Sequence, residues 1–137
     1  MDKEETKSPF LCFFDLLIDF SRGKLCYAYF IKGDVMRIKS KICNGTLYVV
    51  LSGELDEHTA SHTRIALDDV FAGGEFSQII IDLSELEFMD STGIGVLIGR
   101  YKKMKSKNIP IYICNPSKHA EKIFKMTGLY ELMPKIV

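Results

Sequence analysis

The side chains most able to support chemistry lie between Phe88 and Arg100, where the sequence reads Phe-Met-Asp-Ser-Thr-Gly-Ile-Gly-Val-Leu-Ile-Gly-Arg. Ser91 stands at the expected start of a helix, which gives its hydroxyl two interpretations. It can cap the free backbone N–H groups of the first turn, a contribution of about 1 kcal/mol. It can instead carry a phosphate, because a helix N-terminus stabilises negative charge. Asp90 would repel that phosphate, so the modification would act as a switch.

Three enzyme motifs that resemble this stretch are incomplete. The nucleophile elbow, GxSxG, needs a glycine at the position of Met89. The dinucleotide fingerprint, GxGxxG, needs its third glycine at Ile98, and a P-loop needs a lysine directly after Gly99. Gly95 and Gly99 are four residues apart, so we expect them to permit close packing of a helix against a sheet.

The three histidines give little support for a metal site. His58 and His62 are one helical turn apart, but the glutamate of the HExxH motif is missing and no third ligand is evident. We therefore expect both to lie on an exposed helix face. His119 stands alone near the start of another predicted helix.

A cluster of basic residues follows the serine motif. It is typical of a solvated helix face whose C-terminal cations suit the helix dipole. A partner-binding surface is the alternative. The members of the cluster are Arg100, Lys102, Lys103, Lys105 and Lys107.

Composition limits the classes of protein that fit. The chain has 137 residues, a formal net charge of +0 and 47% hydrophobic residues, which favours one domain with a real core. A pI of about 6.8 removes the global attraction to nucleic acid or an anionic membrane. We therefore expect no direct contact with nucleic acid.

The cysteines and the N-terminus indicate a cytoplasmic protein. The four cysteines contain no CxxC pair, so we interpret them as reduced thiols. The N-terminus is acidic where a secretory signal would be basic. The apolar segment Phe10–Phe20 contains Asp15 and Asp19 and is too short to span a membrane.

The elements that must position these side chains follow from the periodicity after residue 35. Asn44-Gly45 predicts a tight type I′ turn between two strands, and Gly53 is expected to end the second of them. Alternating strands and helices then predict an α/β fold with right-handed crossovers. The predicted elements are strands at Arg37–Cys43 and Thr46–Leu51, a helix capped by Asp56, a strand at Gln78–Leu83, a helix at Ser91–Lys107, a strand at Ile109–Cys114 and a helix at Pro116–Met126, with a last short strand in the tail.

Three segments, in this order and at this spacing, carry a resemblance to a known family. They are Leu51–Asp56 with Thr59-Ala60, then Phe88–Leu97, and finally Met126–Leu129, with Gly99–Lys102 adding to the likeness. They resemble the STAS domain of anti-sigma factor antagonists, closest to the sporulation sigma-F branch, the stage II sporulation protein AA type. The resemblance favours the phosphate interpretation of Ser91.

This resemblance implies a STAS fold, with a mixed, mainly parallel sheet of four to five strands and helices packed on it. It implies a protein without catalytic activity or cofactor that binds an anti-sigma factor, itself a serine kinase, and so releases a sigma factor. The kinase would phosphorylate Ser91 and a serine phosphatase would reverse this. The partner-binding residues that it implies are Asp56, Thr59, Asp90, Ser91, Thr92, Gly93 and Gly95.

The resemblance also divides the chain. Residues 36–137 form the expected STAS domain, whereas residues 1–35 have no counterpart in the family. We hypothesise that Met36 is the native start or that the extension is unstructured. Relatives usually continue into a final helix beyond the position of Val137, and lack of that helix is expected to expose sheet surface.

The leading hypothesis is an anti-sigma factor antagonist regulated at Ser91. One alternative is a STAS module that senses a small ligand or a nucleotide, because a helix N-terminus followed by Gly93 can hold a phosphate. Another is partner switching in a general stress pathway. An enzyme is not expected, since no nucleophile–base pair or set of metal ligands can be assembled.

Overall fold

The computed structural model describes the backbone of residues 27–31 and the backbone and side chains of residues 36–136. Most of the N-terminal extension, including the segment Phe10–Phe20, lies outside these described residues. The strands are β1 (Tyr27–Ile31), β2 (Met36–Cys43), β3 (Thr46–Leu55), β4 (Gln78–Met89) and β5 (Ile111–Cys114), and the helices are α1 (Ala60–Ala72), α2 (Ser91–Lys105) and α3 (Lys118–Thr127).

The strands form one mixed sheet in the order β1-β2-β3-β4-β5. The pairs β1/β2 and β2/β3 are antiparallel, whereas β3/β4 and β4/β5 are parallel. Each parallel connection passes through a helix, α1 or α2, as parallel pairing requires. The α/β fold with a mixed sheet is confirmed, with the pairings divided equally between the two directions rather than mainly parallel.

The turn between β2 and β3 has the geometry that the sequence predicts. Asn44 has φ 54° and Gly45 has φ 78°, so both central residues are in the left-handed region that a type I′ turn needs. This turn sets the register of the antiparallel pair, in which Cys43 faces Thr46 and Met36 faces Gly53.

Two strands are longer than predicted. β3 continues through Gly53 to Leu55, so the expectation that Gly53 ends the strand is wrong. Gly53 has φ 107°, and the β3/β4 register shifts on both sides of it. Glycine permits such a bulge without ending the strand. β4 continues past its apolar run to Met89. Its pairing with β5 ends earlier, where Asp82 faces Cys114.

The helices and one face of the sheet enclose a single hydrophobic core. Helix α1 buries one face, which includes Ala60, Thr63, Leu67, Val70 and Phe71. Helix α3 ends at Gly128, whose φ of 74° is typical of the residue after a helix. Half of the core's buried members lie on the strands, and the others lie on the helices and the tail. Its fully buried members with less than 2% exposure include Ile38, Leu47, Leu51, Leu55, Leu67, Ile79, Ile81, Leu83 and Phe124.

Both ends of the described chain add to the sheet. No strand is predicted before Met36, yet Tyr27–Ile31 pairs with β2 from Ile31 opposite Met36 to Tyr27 opposite Ser40. The predicted last strand is reduced to one parallel bridge between Lys135 and Ile113. The tail begins instead with a 3-10 helix at Leu129–Glu131.

Candidate functional site

The junction between β4 and α2 places Ser91 in the open. β4 ends at Met89, and Ser91 is the first residue of α2 and is exposed. The strand-to-helix position predicted for this serine is therefore confirmed. Among the described residues its hydroxyl has no hydrogen-bond partner, so a modifying enzyme can reach it without first breaking an internal bond.

Asp90, and not Ser91, caps α2. The Oδ1 atom of Asp90 accepts hydrogen bonds from the N–H of Thr92 at 2.9 Å and from the N–H of Gly93 at 3.1 Å. The interpretation of Ser91 as the cap is thus wrong. The physical reason is that the carboxylate one residue earlier, in an extended conformation, reaches the same N–H groups.

Gly93 is the glycine of this motif that close packing requires. A Cβ at Gly93 would lie 2.9 Å from the Leu55 carbonyl oxygen and 2.8 Å from Met89 Cγ. At Gly95 and Gly99 a Cβ would meet nothing within 4 Å. The expectation that Gly95 and Gly99 permit close packing is therefore wrong, because no neighbouring element among the described residues comes close to the place where a side chain would stand.

The loop after β3 contains the other two predicted site residues. Asp56 Oδ1 accepts hydrogen bonds from the N–H of His58 at 2.8 Å and of Thr59 at 3.2 Å, which begins the turn that leads into α1. The Thr59 hydroxyl donates to the Glu54 carbonyl at 2.9 Å, and the side chain is only 1% exposed. Thr59 therefore shapes the loop from inside, and Asp56 lies at its partly exposed edge.

One backbone hydrogen bond joins the two motif segments. The N–H of Asp90 donates to the carbonyl of Leu55 at 3.3 Å, directly before Asp56. The carboxylates of Asp56 and Asp90 thus both lie at the ends of the neighbouring strands β3 and β4. The structure brings Asp56, Asp90, Ser91 and Thr92 to one end of the sheet, with Gly93 and Thr59 buried beneath them and Gly95 exposed one turn further along α2.

Sequence reasoning missed the contribution of His119. This residue lies at the start of α3, and its Nε2 is 3.1 Å from the carbonyl oxygen of Met89. Its ring stacks on Phe88, with centroids 5.3 Å apart and an angle of 22° between the planes. A lone histidine near a helix start carries no signal of such a contact, because the partner is far away in sequence.

The predicted solvated basic face is correct only in part. Arg100 is 4% exposed, and its Nε lies 3.1 Å from Asp68 Oδ1 of α1. Burial lowers the pKa of Arg100, and the Asp68 carboxylate raises it again in part. Lys103 Nζ lies 3.2 Å from the other oxygen of Asp68, so these residues join α1 to α2. The prediction that Arg100 belongs to the solvated face is thus wrong. Its guanidinium is buried because Asp68 on α1 supplies the counter-charge.

The described residues offer little to a metal or a phosphate ligand. None of their His, Cys, Asp and Glu side chains form a group of three that could hold a metal ion. His58 and His62 are both exposed, as predicted, but only His62 lies on a helix, because His58 belongs to the turn before α1. A cleft of about 580 Å³ is lined by residues of β2, β3 and β4. Three carboxylates and one guanidinium give its lining a net negative charge, which disfavours an anionic ligand. Its lining residues are Arg37, Ser52, Gly53, Glu54, Ser84, Glu85, Leu86 and Glu87.

None of the helices within the described ranges combines the length and the apolar character that crossing a membrane requires.

Comparison with known families and sequences gives consistent matches. The family model described as STAS domain matches residues 37–137. An anti-sigma F factor antagonist from Paenibacillus polymyxa is 35% identical over 99 residues, which is 72% of this chain and 85% of that protein. An anti-sigma-B factor antagonist from Listeria monocytogenes is 32% identical over 62% of this chain and 74% of its own length.

Solved structures show the same likeness. The anti-sigma factor antagonist SpoIIAA in its unphosphorylated form superposes with a TM-score of 0.58 at 25% identity, covering 82% of this chain and 89% of that one. An anti-sigma factor antagonist from Mycobacterium paratuberculosis gives 0.63 at 26% identity over 77% and 88%. The Bacillus cell fate determinant SpoIIAA in the phosphorylated form gives 0.54 at 25% identity over 82% and 92%.

Proposed function

This chain belongs to the STAS domain family, among its anti-sigma factor antagonists, and from that premise we propose that it works by switching partners under the control of Ser91. In the unphosphorylated state it binds an anti-sigma factor that is also a serine kinase, and the bound sigma factor is released. Phosphorylation of Ser91 by that kinase ends the binding, and a serine phosphatase restores it. The protein has no catalytic activity of its own in this scheme and acts in the cytoplasm.

The observation that carries the proposal is the exposed Ser91 directly after a capping Asp90. Because Asp90 already accepts from the N–H groups of Thr92 and Gly93, a phosphate on Ser91 finds these donors occupied. The phosphate would therefore face solvent and an approaching partner rather than bind the helix N-terminus. A phosphate adds about −1.5 to −2 charges at neutral pH.

The neighbouring charges make this addition effective against a partner. The carboxylates of Asp90 and Asp56 stand at the same end of the sheet, so the phosphate would join two acidic groups. A partner surface that accommodates those two carboxylates would have to tolerate about twice the negative charge after modification. The protein's own fold would change little, because the phosphate replaces no internal contact of Ser91.

The test is phosphorylation in vitro. We expect incubation with a cognate anti-sigma serine kinase and ATP to add one phosphate, which mass spectrometry of proteolytic fragments should locate at Ser91. Ser91→Ala should abolish the modification, while Thr92→Ala, which removes the neighbouring exposed hydroxyl, should retain it. Modification of Thr92, or none at all, would contradict the proposal.

Binding measurements test the charge mechanism separately. By calorimetry, Ser91→Ala should bind the kinase about as well as the unmodified protein, because it removes only an exposed hydroxyl. Ser91→Asp should bind at least tenfold more weakly, since a carboxylate at this position imitates part of the phosphate charge. Equal affinities of the two variants would argue against the charge mechanism.

Two pathways remain to be distinguished. The match to the Paenibacillus anti-sigma F factor antagonist favours a sporulation sigma factor, whereas the Listeria relative is an anti-sigma-B factor antagonist. Competition between a sigma-F-type and a sigma-B-type kinase for this chain decides between them. The higher identity and coverage of the first relative lead us to expect preferential binding to the sigma-F-type kinase. Titration with ATP or GTP in the absence of any kinase tests the ligand-sensing alternative.

A further inference from the structure

Within the described part of the chain, the end of β4 nearest the serine is paired with a strand on one side only, that of β3. β5 pairs with β4 only from Ile79 to Asp82, although β4 continues to Met89. Helix α3 contacts β4, and its residue His119 reaches β4 at Phe88 and Met89, beyond the last pair with β5. The backbone carbonyl groups of β4 that face the unpaired side therefore need partners that β5 does not supply, whereas those on the other side face β3.

His119 supplies the partner for the last of these carbonyl groups. Its Nε2 lies 3.1 Å from the Met89 oxygen. A carbonyl oxygen can only accept, so Nε2 carries the hydrogen of this bond. The stack of the His119 ring on Phe88, at 5.3 Å, fixes the ring plane that directs Nε2 at this oxygen.

The peptide unit between Met89 and Asp90 is consequently held at both of its polar atoms. Its N–H donates to the Leu55 carbonyl at 3.3 Å, and its C=O accepts from His119. This peptide plane determines the direction in which the chain leaves β4 and enters α2. The next peptide unit along the chain joins the capping Asp90 to Ser91.

We infer that His119 is a positioning residue of the Ser91 switch, an inference that rests on the function proposed above. His119 fixes the Met89–Asp90 peptide plane and so presents the Ser91 hydroxyl in one orientation to the kinase. Without its hydrogen bond the junction samples several orientations, and only a fraction of encounters with the kinase are productive. His119 need not touch the kinase for this effect.

Two substitutions separate the hydrogen bond from the ring stack. His119→Gln retains an N–H donor at a similar distance from the backbone and loses the stacked ring. His119→Phe retains the ring on Phe88 and loses the donor. His119→Ala loses both contacts. Lys122→Ala is the matched control, because Lys122 is an exposed residue on the same helix, one turn further along.

The measurement is the steady-state rate of phosphorylation at Ser91, together with the dissociation constant for the kinase. Loss of one hydrogen bond predicts a fall of about fivefold in kcat for His119→Ala and His119→Phe. KM and the dissociation constant should stay within about twofold of the unmodified protein, since positioning acts on the reacting geometry rather than on affinity. His119→Gln should recover most of the rate, and Lys122→Ala should leave it unchanged.

Other outcomes overturn the inference. If His119→Ala and Lys122→Ala were phosphorylated at the same rate, His119 would have no positioning role. A rise in KM at constant kcat would make His119 a docking contact instead. Circular dichroism melts of each variant guard against simple loss of folding, and failure of His119→Gln to exceed His119→Phe when both are folded would exclude the hydrogen bond as the cause. Absence of phosphorylation in the unmodified protein would instead contradict the proposed function.

Discussion

Gly93 permits the close approach of α2 to the sheet. No side chain separates the first turn of α2 from the end of β3, because a Cβ at this position would lie 2.9 Å from both the Leu55 carbonyl oxygen and Leu55 Cγ. One of these two atoms belongs to the backbone and cannot move aside as a flexible side chain can. The Leu55 carbonyl also accepts a hydrogen bond from the N–H of Asp90, so Gly93 and Asp90 both contact this one group.

We predict that Gly93→Ala destabilises the protein by about 1–3 kcal/mol, the usual cost of forcing extra volume into a packed site. Gly95→Ala is the matched control on the same helix. A Cβ there meets nothing within 4 Å, and alanine is the better helix former, so stability should stay constant or rise by up to about 1 kcal/mol. Urea unfolding of both variants measures the difference. Equal stabilities would mean that the end of β3 yields to the added methyl group.

At the scale of residues, the sequence predicts types of function better than partners in space. The position of Ser91 at a helix start follows from local pattern and is confirmed. Which residue caps α2 depends on the backbone conformation of Asp90, and the local sequence pattern does not determine that conformation. The roles of Gly93 and His119 can be recognised only in the folded chain. Gly93 packs against Leu55 and His119 bonds to Met89, and both partners are far away in sequence.

Helix α3 is fastened to the tail by Glu121. Its carboxylate accepts from the Tyr130 hydroxyl at 2.7 Å, and Lys125 and Lys135 approach it to 3.2 and 3.3 Å. The hydrogen bond from Tyr130, followed by those from the two lysines, lowers the pKa of Glu121 below its usual 4.5. Burial, followed by the same hydrogen bond, raises the pKa of Tyr130.

We predict that Glu121→Gln lowers the melting temperature at neutral pH. A carboxylate whose folded pKa is depressed stabilises the fold above its unfolded pKa, and this contribution is lost as the pH falls through the folded value. The difference between the variant and the unmodified protein should therefore be fully present above pH 4.5 and shrink below it. Glu131→Gln, which removes an exposed carboxylate of the neighbouring 3-10 helix, is the control. Thermal melts at several pH values would contradict this if the difference stayed constant in acid.

At the scale of elements, local signals with a single physical cause are predicted well. Asn44-Gly45 gives the hairpin because only such residues adopt two successive positive φ angles readily. Gly53 misleads because the same freedom allows a bulge within a strand. β1 is missed because Tyr27–Ile31 shows no alternation, and its place is set by pairing with β2.

Across the whole molecule, positive and negative side chains are equal in number. This balance leaves no large general attraction or repulsion towards a partner, so a modification at one exposed point can dominate the electrostatic part of the binding energy. The neutral composition and the single core were both predictable from the sequence, because they depend on totals and periodicity rather than on particular contacts.

We predict that salt reduces the difference in kinase affinity between the phosphorylated and the unphosphorylated protein. The affinity of the phosphorylated form for the kinase should rise relative to the unphosphorylated form between about 0.1 M and 1 M salt, because the screening length falls from about 10 Å to about 3 Å. The unphosphorylated protein serves as the internal control, and its dissociation constant should vary less. Calorimetric titrations at both salt concentrations give the ratio. A ratio independent of salt would indicate that steric exclusion, rather than charge, separates the states.

The capping of α2 by Asp90 has a consequence for timing. With the first N–H groups of the helix already occupied, the protein does not need to refold when Ser91 gains or loses a phosphate. Under the proposed function, the lifetime of each state would then depend on the phosphoester and on the two opposing enzymes, so the amounts of kinase and phosphatase would set how long the switch stays in either state.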